Sequence, residues 1–210
     1  MSRKDIKNRR QKKIRHILKV ATEVFSQKGY AGASTNEIAD LAGISKRSMY
    51  YYVGDKETLY DSVLDELRKE AEKLLDIGVK ENQTPEDKLS QLIHGMARAG
   101  NNRHLHAIVL RELVSGGKAL PKTIVEGIDH GCGILSGILE EGEKKSGFIR
   151  LSSPIVYLIL MSFFVYWNLV APLMVGSDKR SENITAFGQN ASDSPADEIE
   201  RMLLKLLKTC

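Results

Sequence analysis

An all-helical fold is predicted by three observations. Apolar residues recur at the helical period along nearly the whole chain, no stretch alternates with the period of a strand, and glycines or prolines separate the periodic runs. With 210 residues, 42% of them hydrophobic, the chain is long enough for one large or two modest domains and can bury a core.

The first element is a helix carrying Ile14, Ile17, Leu18, Ala21, Val24 and Phe25 on one face, with a stop expected at Lys28-Gly29. Ser34 followed by Glu37 reads as a capping box opening a short second helix, with Ile38, Leu41 and Ala42 on one face and Gly43 as terminator. Ser45 then caps a third short helix over 46–53, and Met49 is expected to turn toward Ile38 and Leu41. Asp55 caps a long fourth helix with the stripe Leu59, Tyr60, Val63, Leu64, Leu67, Ala71, Leu74 and Leu75, ending near Gly78.

Further helices are expected at about 85–100, 103–115, 121–145, 153–175 and 195–209. Pro85, Gly116-Gly117, Pro121, Pro154 and Pro195 punctuate them, and the polar segment 176–194 reads as a mobile loop. The last helix is amphipathic and is expected to lay its apolar face on helix 153–175. Gly127, Gly131, Gly133 and Gly137 weaken the helix 121–145, and close helix approach is the expected compensation.

Charge is unevenly distributed. Residues 1–56 hold 13 Lys/Arg against 5 Asp/Glu, whereas 57–210 hold 18 against 22. Eight basic side chains fall within residues 1–15, the footprint of an arm that meets a polyanion. Cys132 and Cys210 have no short-range partner, no secretory signal pattern is present, and a cytoplasmic protein without disulfides is expected.

From Leu151 to Ser177 no residue is charged, and Ile155–Trp167 is almost wholly apolar, so by length the segment would span a bilayer. Interior Ser152, Ser153, Ser162, Asn168 and Pro172, with no flanking Lys/Arg bias, favour instead a helix buried on most sides, in a core or a subunit interface, and no membrane.

Two short helices joined by a tight turn, after a longer helix and a basic arm, form a helix-turn-helix unit. Its second helix, Lys46-Arg47-Ser48-Met49-Tyr50-Tyr51-Tyr52, supplies cations for guanine edges and phosphates, and phenols for phosphate oxygens. Three consecutive tyrosines span about 200° of helix surface, so at least one or two must face outward.

The run Thr35–Leu59 (TNEIADLAGISKRSMYYYVGDKETL) resembles the signature of the tetracycline-repressor (TetR) family of transcriptional regulators. Arg47 stands where glycine or proline is frequent in that family, and Val53 where phenylalanine is frequent, so the operator sequence does not transfer. The resemblance implies that Thr35, Tyr50, Tyr52 and Lys56 contact phosphates, while Asn36, Lys46, Arg47, Ser48 and Tyr51 face bases or nearby backbone. Arg9 and Arg10, with Lys12 and Lys13, would extend contact to flanking DNA.

On this reading residues 1–56 form a basic arm and DNA-binding domain, and 57–210 a helical effector-binding and dimerisation domain. One reading head makes few base contacts, so a homodimer on double-stranded operator DNA is expected, joined through helices at about 153–175 and 195–209. The resemblance further implies an unknown small-molecule effector. Met96, His106, Leu110, Leu113, Tyr157, Met161, Phe164 and Trp167 are its candidate contacts, with the fourth helix as the lever.

No phosphate loop, nucleophile elbow or metal signature is present, and His104-x-His106 and His130-x-Cys132 lack a third ligand. No enzyme activity, cofactor or metal is therefore expected. An architectural DNA binder without sequence preference is the competing class; it would bind random and operator DNA alike.

Overall fold

The computed structural model describes residues 3–75, 83–118, 120, 122–175 and 194–208. Nine helices lie among them: α1 Arg3–Gly32, α2 Thr35–Leu41, α3 Lys46–Val53, α4 Lys56–Leu75, α5 Pro85–Gly100, α6 Arg103–Val114, α7 Lys122–Lys145, α8 Ser153–Val175 and α9 Pro195–Leu207. The described residues contain no strand. The expected loop at 176–194 lies, but for Ser194, outside them, as does the end of the fourth helix near Gly78.

Two compact units result, one of Met1–Lys69 with His104–Val125 and the other of Glu70–Arg103 with Glu126–Cys210. The first has its core where α1, α2 and α3 pack on one another around Ile17, Ala21, Phe25, Ile38, Met49 and Tyr60, all essentially without exposure. Phe25 and Tyr30 each set a ring 4.9 Å from that of Tyr60. Such aromatic contacts add about 0.5–1.5 kcal/mol beyond the area buried.

The first unit departs from expectation in three places. The basic arm forms the first turns of α1, and Gly29, the expected stop, breaks that helix without ending the element, which resumes to Gly32. Gly29 sits at φ 70°, where the Arg111 side chain of α6 packs on its bare Cα and donates to the Gln27 carbonyl at 3.0 Å. Ser34 caps α2 by accepting from the Asn36 N–H at 3.3 Å, but Glu37 does not complete a capping box; it pairs with Lys28 at 2.6 Å. Leu41, expected in the core, is 61% exposed, because the α2 face that meets α1 and α3 is set by Ile38, Ala39 and Ala42.

In the second unit α5 is the central helix and packs against both α8 and α9. Its buried residues Leu89, Leu92, Ile93 and Met96 meet Leu135 of α7 and Tyr157, Leu160 and Phe164 of α8 in one cluster. Capping boxes open α5 (Thr84 with Asp87) and α9 (Ser194 with Asp197), each followed by proline in the first turn.

Here too the structure corrects the sequence. α9 packs chiefly on α5 rather than on α8, and its last turn is tied by the Ile149 N–H to the Leu207 carbonyl at 2.9 Å. α8 is not buried on most sides: only 22% of Ser153–Val170 is buried within the chain. Val156, Tyr157, Leu160 and Phe164 turn inward, while Ile155, Leu158, Ile159, Tyr166 and Leu173 are exposed. Close approach occurs at Gly131, where an added Cβ would strike the Tyr157 ring, but nothing approaches Gly133 or Gly137.

Candidate nucleic-acid interface

The turn between α2 and α3 is built by backbone bonds that only a left-handed residue allows. Gly43, at φ 65°, donates to the Asp40 carbonyl at 3.1 Å, and Ile44 donates to Ala39 at 3.0 Å. This pair of bonds is a Schellman closure, which satisfies carbonyls at the end of α2 and redirects the chain. Ser45 then accepts from the Ser48 N–H at 3.1 Å, opening α3 within a few residues.

Helix α3 is rooted through one face and presents the other. Met49 and Val53 are buried; Lys46, Arg47, Tyr50 and Tyr51 are exposed, and Ser48 and Tyr52 half-buried. The period of 3.6 residues explains the split, since Met49 and Val53 lie four apart on one buried side of a helix that packs against α1 and α2. Tyr51, 69% exposed, is the most protruding of the three phenols.

Cations gather on this outward face. Arg10 lies over the Tyr51 ring at 5.5 Å, Lys13 over Tyr52 at 5.5 Å and Lys46 over Tyr50 at 5.8 Å. The helical arm thus sets two of its cations against α3, and each such contact at an exposed site stabilises by about 0.5–1 kcal/mol. Arg9 is exposed on the same helix. Thr35, at the start of α2, has its hydroxyl 3.4 Å from that of Tyr50, and Asn36 beside it is exposed.

Lys56 sits over the Tyr30 ring at 4.6 Å, at the first turn of α4. Asp55 caps that turn through the Thr58 N–H at 2.8 Å and hydroxyl at 2.7 Å, and these bonds hold its carboxyl below the ordinary aspartate value. The helix start and the Lys56 ammonium supply positive charge at a corner that also carries the carboxylates of Asp55 and Glu57. Thr35, Asn36, Lys46, Arg47, Ser48, the three tyrosines, Lys56, Arg9 and Arg10 therefore all belong to one compact unit.

The candidate effector contacts are distributed differently. His106, Leu110 and Leu113 belong to the first unit, with His106 buried and the two leucines exposed. Met96, Tyr157, Met161, Phe164 and Trp167 belong to the second. Burial pushes the Tyr157 phenol up to about 12. A cavity of about 290 Å³ in the second unit is lined by Phe164 and Trp167 together with polar residues the sequence did not single out, among them His94, Arg98, Asn101 and Asn168. His94, Arg98 and Asn101 stand at i, i+4 and i+7 along α5 and its C-cap, and the packing of α5 on α8 adds Asn168 to them.

A short helix anchored by Met49 and Val53, set after a tight turn and flanked by cations, defines a helix-turn-helix DNA reader joined to a larger helical unit. Residues 17–63 match the family described as bacterial regulatory proteins, tetR family. Among curated relatives, the HTH-type transcriptional repressor NicS of Pseudomonas putida is 31% identical over 174 residues, covering 73% of this chain and 74% of that one. The fatty acid metabolism regulator protein of Bacillus subtilis is 29% identical over 152 residues, covering 69% and 78%. The crystal structure of a tetR-family regulatory protein from Rhodococcus RHA1 superposes with a TM-score of 0.70 at 19% identity, covering 95% of this chain and 98% of that one. The chain belongs to the TetR family of helix-turn-helix transcriptional regulators.

Proposed function

We propose that the protein is a cytoplasmic repressor without catalytic activity that binds a near-palindromic operator as a homodimer and is released from it by a small molecule. The observation that carries the DNA-binding part is the two-sidedness of α3: Met49 has no exposure, while Lys46, Arg47, Tyr50 and Tyr51 on the same helix stand in solvent. In this reading Arg47, Lys46, Asn36, Ser48 and Tyr51 face base edges or adjacent backbone. Thr35, Tyr50, Tyr52 and Lys56 bind phosphates, and Arg9 and Arg10 carry the contact onto flanking duplex.

Dimerisation follows from the need for two heads about 34–36 Å apart, or a multiple of that. Its support is the exposed apolar stripe Ile155, Leu158, Ile159, Tyr166 and Leu173 on α8, with Met202 and Leu206 exposed on α9. A second copy would cover that stripe in an isologous interface, which accounts for a helix apolar enough to cross a membrane. For the effector, the aromatic walls Phe164 and Trp167 and the polar groups of the 290 Å³ cavity suit a small molecule with one apolar part and one polar head. A domain of residues 1–56 would read DNA, and 57–210 would pair the subunits and hold the effector.

Selection of bound sequences from random duplex DNA tests the core of this proposal. A palindromic consensus, bound about 10³-fold or more tighter than random duplex at fixed salt, is the expected result. Replacing Lys56 by alanine should weaken all duplexes alike and reduce the salt slope by about one unit. Equal affinity for random and selected duplex would refute sequence-specific repression.

A further inference from the structure

His94 of α5, in the middle of its helix, faces two carboxylates of α9. Its Nε2 lies 3.0 Å from Glu200 Oε2 and 3.5 Å from Asp197 Oδ1, and the three atoms all fall within 4.8 Å of one another. The residues are separated by more than a hundred positions, so no spacing motif marks them. All three are half-buried, which leaves room for an ion to enter.

We propose that His94 Nε2, Asp197 Oδ1 and Glu200 Oε2 bind one divalent transition-metal ion, with zinc as the reference case, at the junction of α5 and α9. One imidazole and two carboxylates form the mixed nitrogen and oxygen donor set that such ions accept, and three protein ligands leave a fourth position for water or a small ligand. Bonds of about 2.0–2.2 Å at tetrahedral angles place neighbouring donors roughly 3.3–3.6 Å apart. The His94–Asp197 separation of 3.5 Å lies in that range, the His94–Glu200 separation of 3.0 Å is slightly shorter, and the two carboxylate oxygens lie within 4.8 Å of each other, so small side-chain rotations bring all three donors onto one ion.

A plain ion pair satisfies the cluster less well. The Nε2 of one imidazole carries at most one hydrogen and can direct it at one carboxylate only, so the second carboxylate receives no bond from His94, although Arg201 adds positive charge near Asp197. A dication at the centre engages all three groups at once. The ligands are also held in place. Asp197 and Glu200, three residues apart, share a face of α9. The other oxygen of Asp197, Oδ2, is occupied by the capping box, accepting from the Ser194 N–H at 2.6 Å and hydroxyl at 2.7 Å, so Oδ1 remains for the ion. Neither the DNA-binding reading nor the effector reading is needed for this site.

The test uses the full-length protein stripped of metal with a chelator. Zinc titration in competition with a chromophoric chelator should give one tight ion per chain, and thermal unfolding should shift upward in its presence. Trp167, the only tryptophan, lines the same cavity as His94, so cobalt at this site should quench its emission. His94→Gln and Glu200→Gln should each weaken zinc at least about 10-fold and remove both the thermal shift and the quenching, with helix content unchanged. His130→Ala, at the exposed histidine of His130-x-Cys132, should leave all three readouts as in the parent. Fewer than one tight zinc per chain, undiminished binding in both His94→Gln and Glu200→Gln, or loss of binding in His130→Ala would overturn the site and leave the cluster a salt bridge.

Discussion

Replacing Met49 by alanine separates what holds the reading helix from what it reads. Met49 is fully buried where α3 packs on α1 and α2, and the change removes three heavy atoms from its side chain. At about 0.8 kcal/mol per buried methylene, plus a cavity that the neighbours close only partly, the loss is about 3 kcal/mol. For a chain of this size that corresponds to a fall of roughly 6–12 °C in Tm. Because domains of this kind are stable by about 5–15 kcal/mol, most molecules stay folded at 25 °C, and operator preference there should survive. Arg47→Ala is the complementary change. The side chain is exposed, so stability should move by less than about 0.5 kcal/mol. Loss of a bidentate contact to guanine should instead cost about 1–3 kcal/mol of discrimination at one operator position. Thermal unfolding followed by circular dichroism, beside binding to a panel of single-substitution operators, reads both effects. A large Tm loss in Arg47→Ala, or a reader in Met49→Ala that is stable but indifferent to sequence, would mean that α3 faces the other way.

The two left-handed glycines of the first unit should differ. Gly43→Ala meets open space and suffers only the backbone penalty of about 1–2 kcal/mol, whereas Gly29→Ala adds a collision with Arg111 and costs its bond to Gln27, about 1 kcal/mol more. Equal melting temperatures for the two variants would remove that account of Gly29. Leu158→Asp places a charge in the exposed stripe of α8, and sedimentation should then show monomers whose operator affinity is lower by about 10²-fold or more; an unchanged dimer would relocate the interface. Asp55 and Asp87 are both held below the ordinary value of 3.8, by bonds from the Thr58 N–H and the Thr84 hydroxyl respectively. Their folded values are depressed, so their contribution is complete above 3.8 and is lost as the pH falls from there through the folded values. Acid titration of unfolding should accordingly show a shallower loss below pH 3.8 for the double variant Asp55→Asn and Asp87→Asn; an identical acid limb would discount the caps.

The helices and the DNA-reading segment were legible in the sequence because their signals are local. Apolar period, a capping serine or aspartate, and a glycine that can turn left-handed act within a few residues, and the run from Thr35 to Leu59 carries all of them. Local signals also misled where a distant partner competed. Glu37 left its expected cap for Lys28, and Leu41 kept the right period but met no neighbour to bury it.

Tertiary packing alone decided which side of a helix faces what. The sequence marks α8 as apolar all round, yet cannot say that one stripe meets α5 while another stays open, because an unbroken apolar run has no polar edge to orient it. Likewise α9 lies on α5 rather than on α8, and that choice joins His94 to Asp197 and Glu200 across more than a hundred residues of chain. Contacts of that reach depend on how whole helices fit together, and no spacing along the chain encodes them.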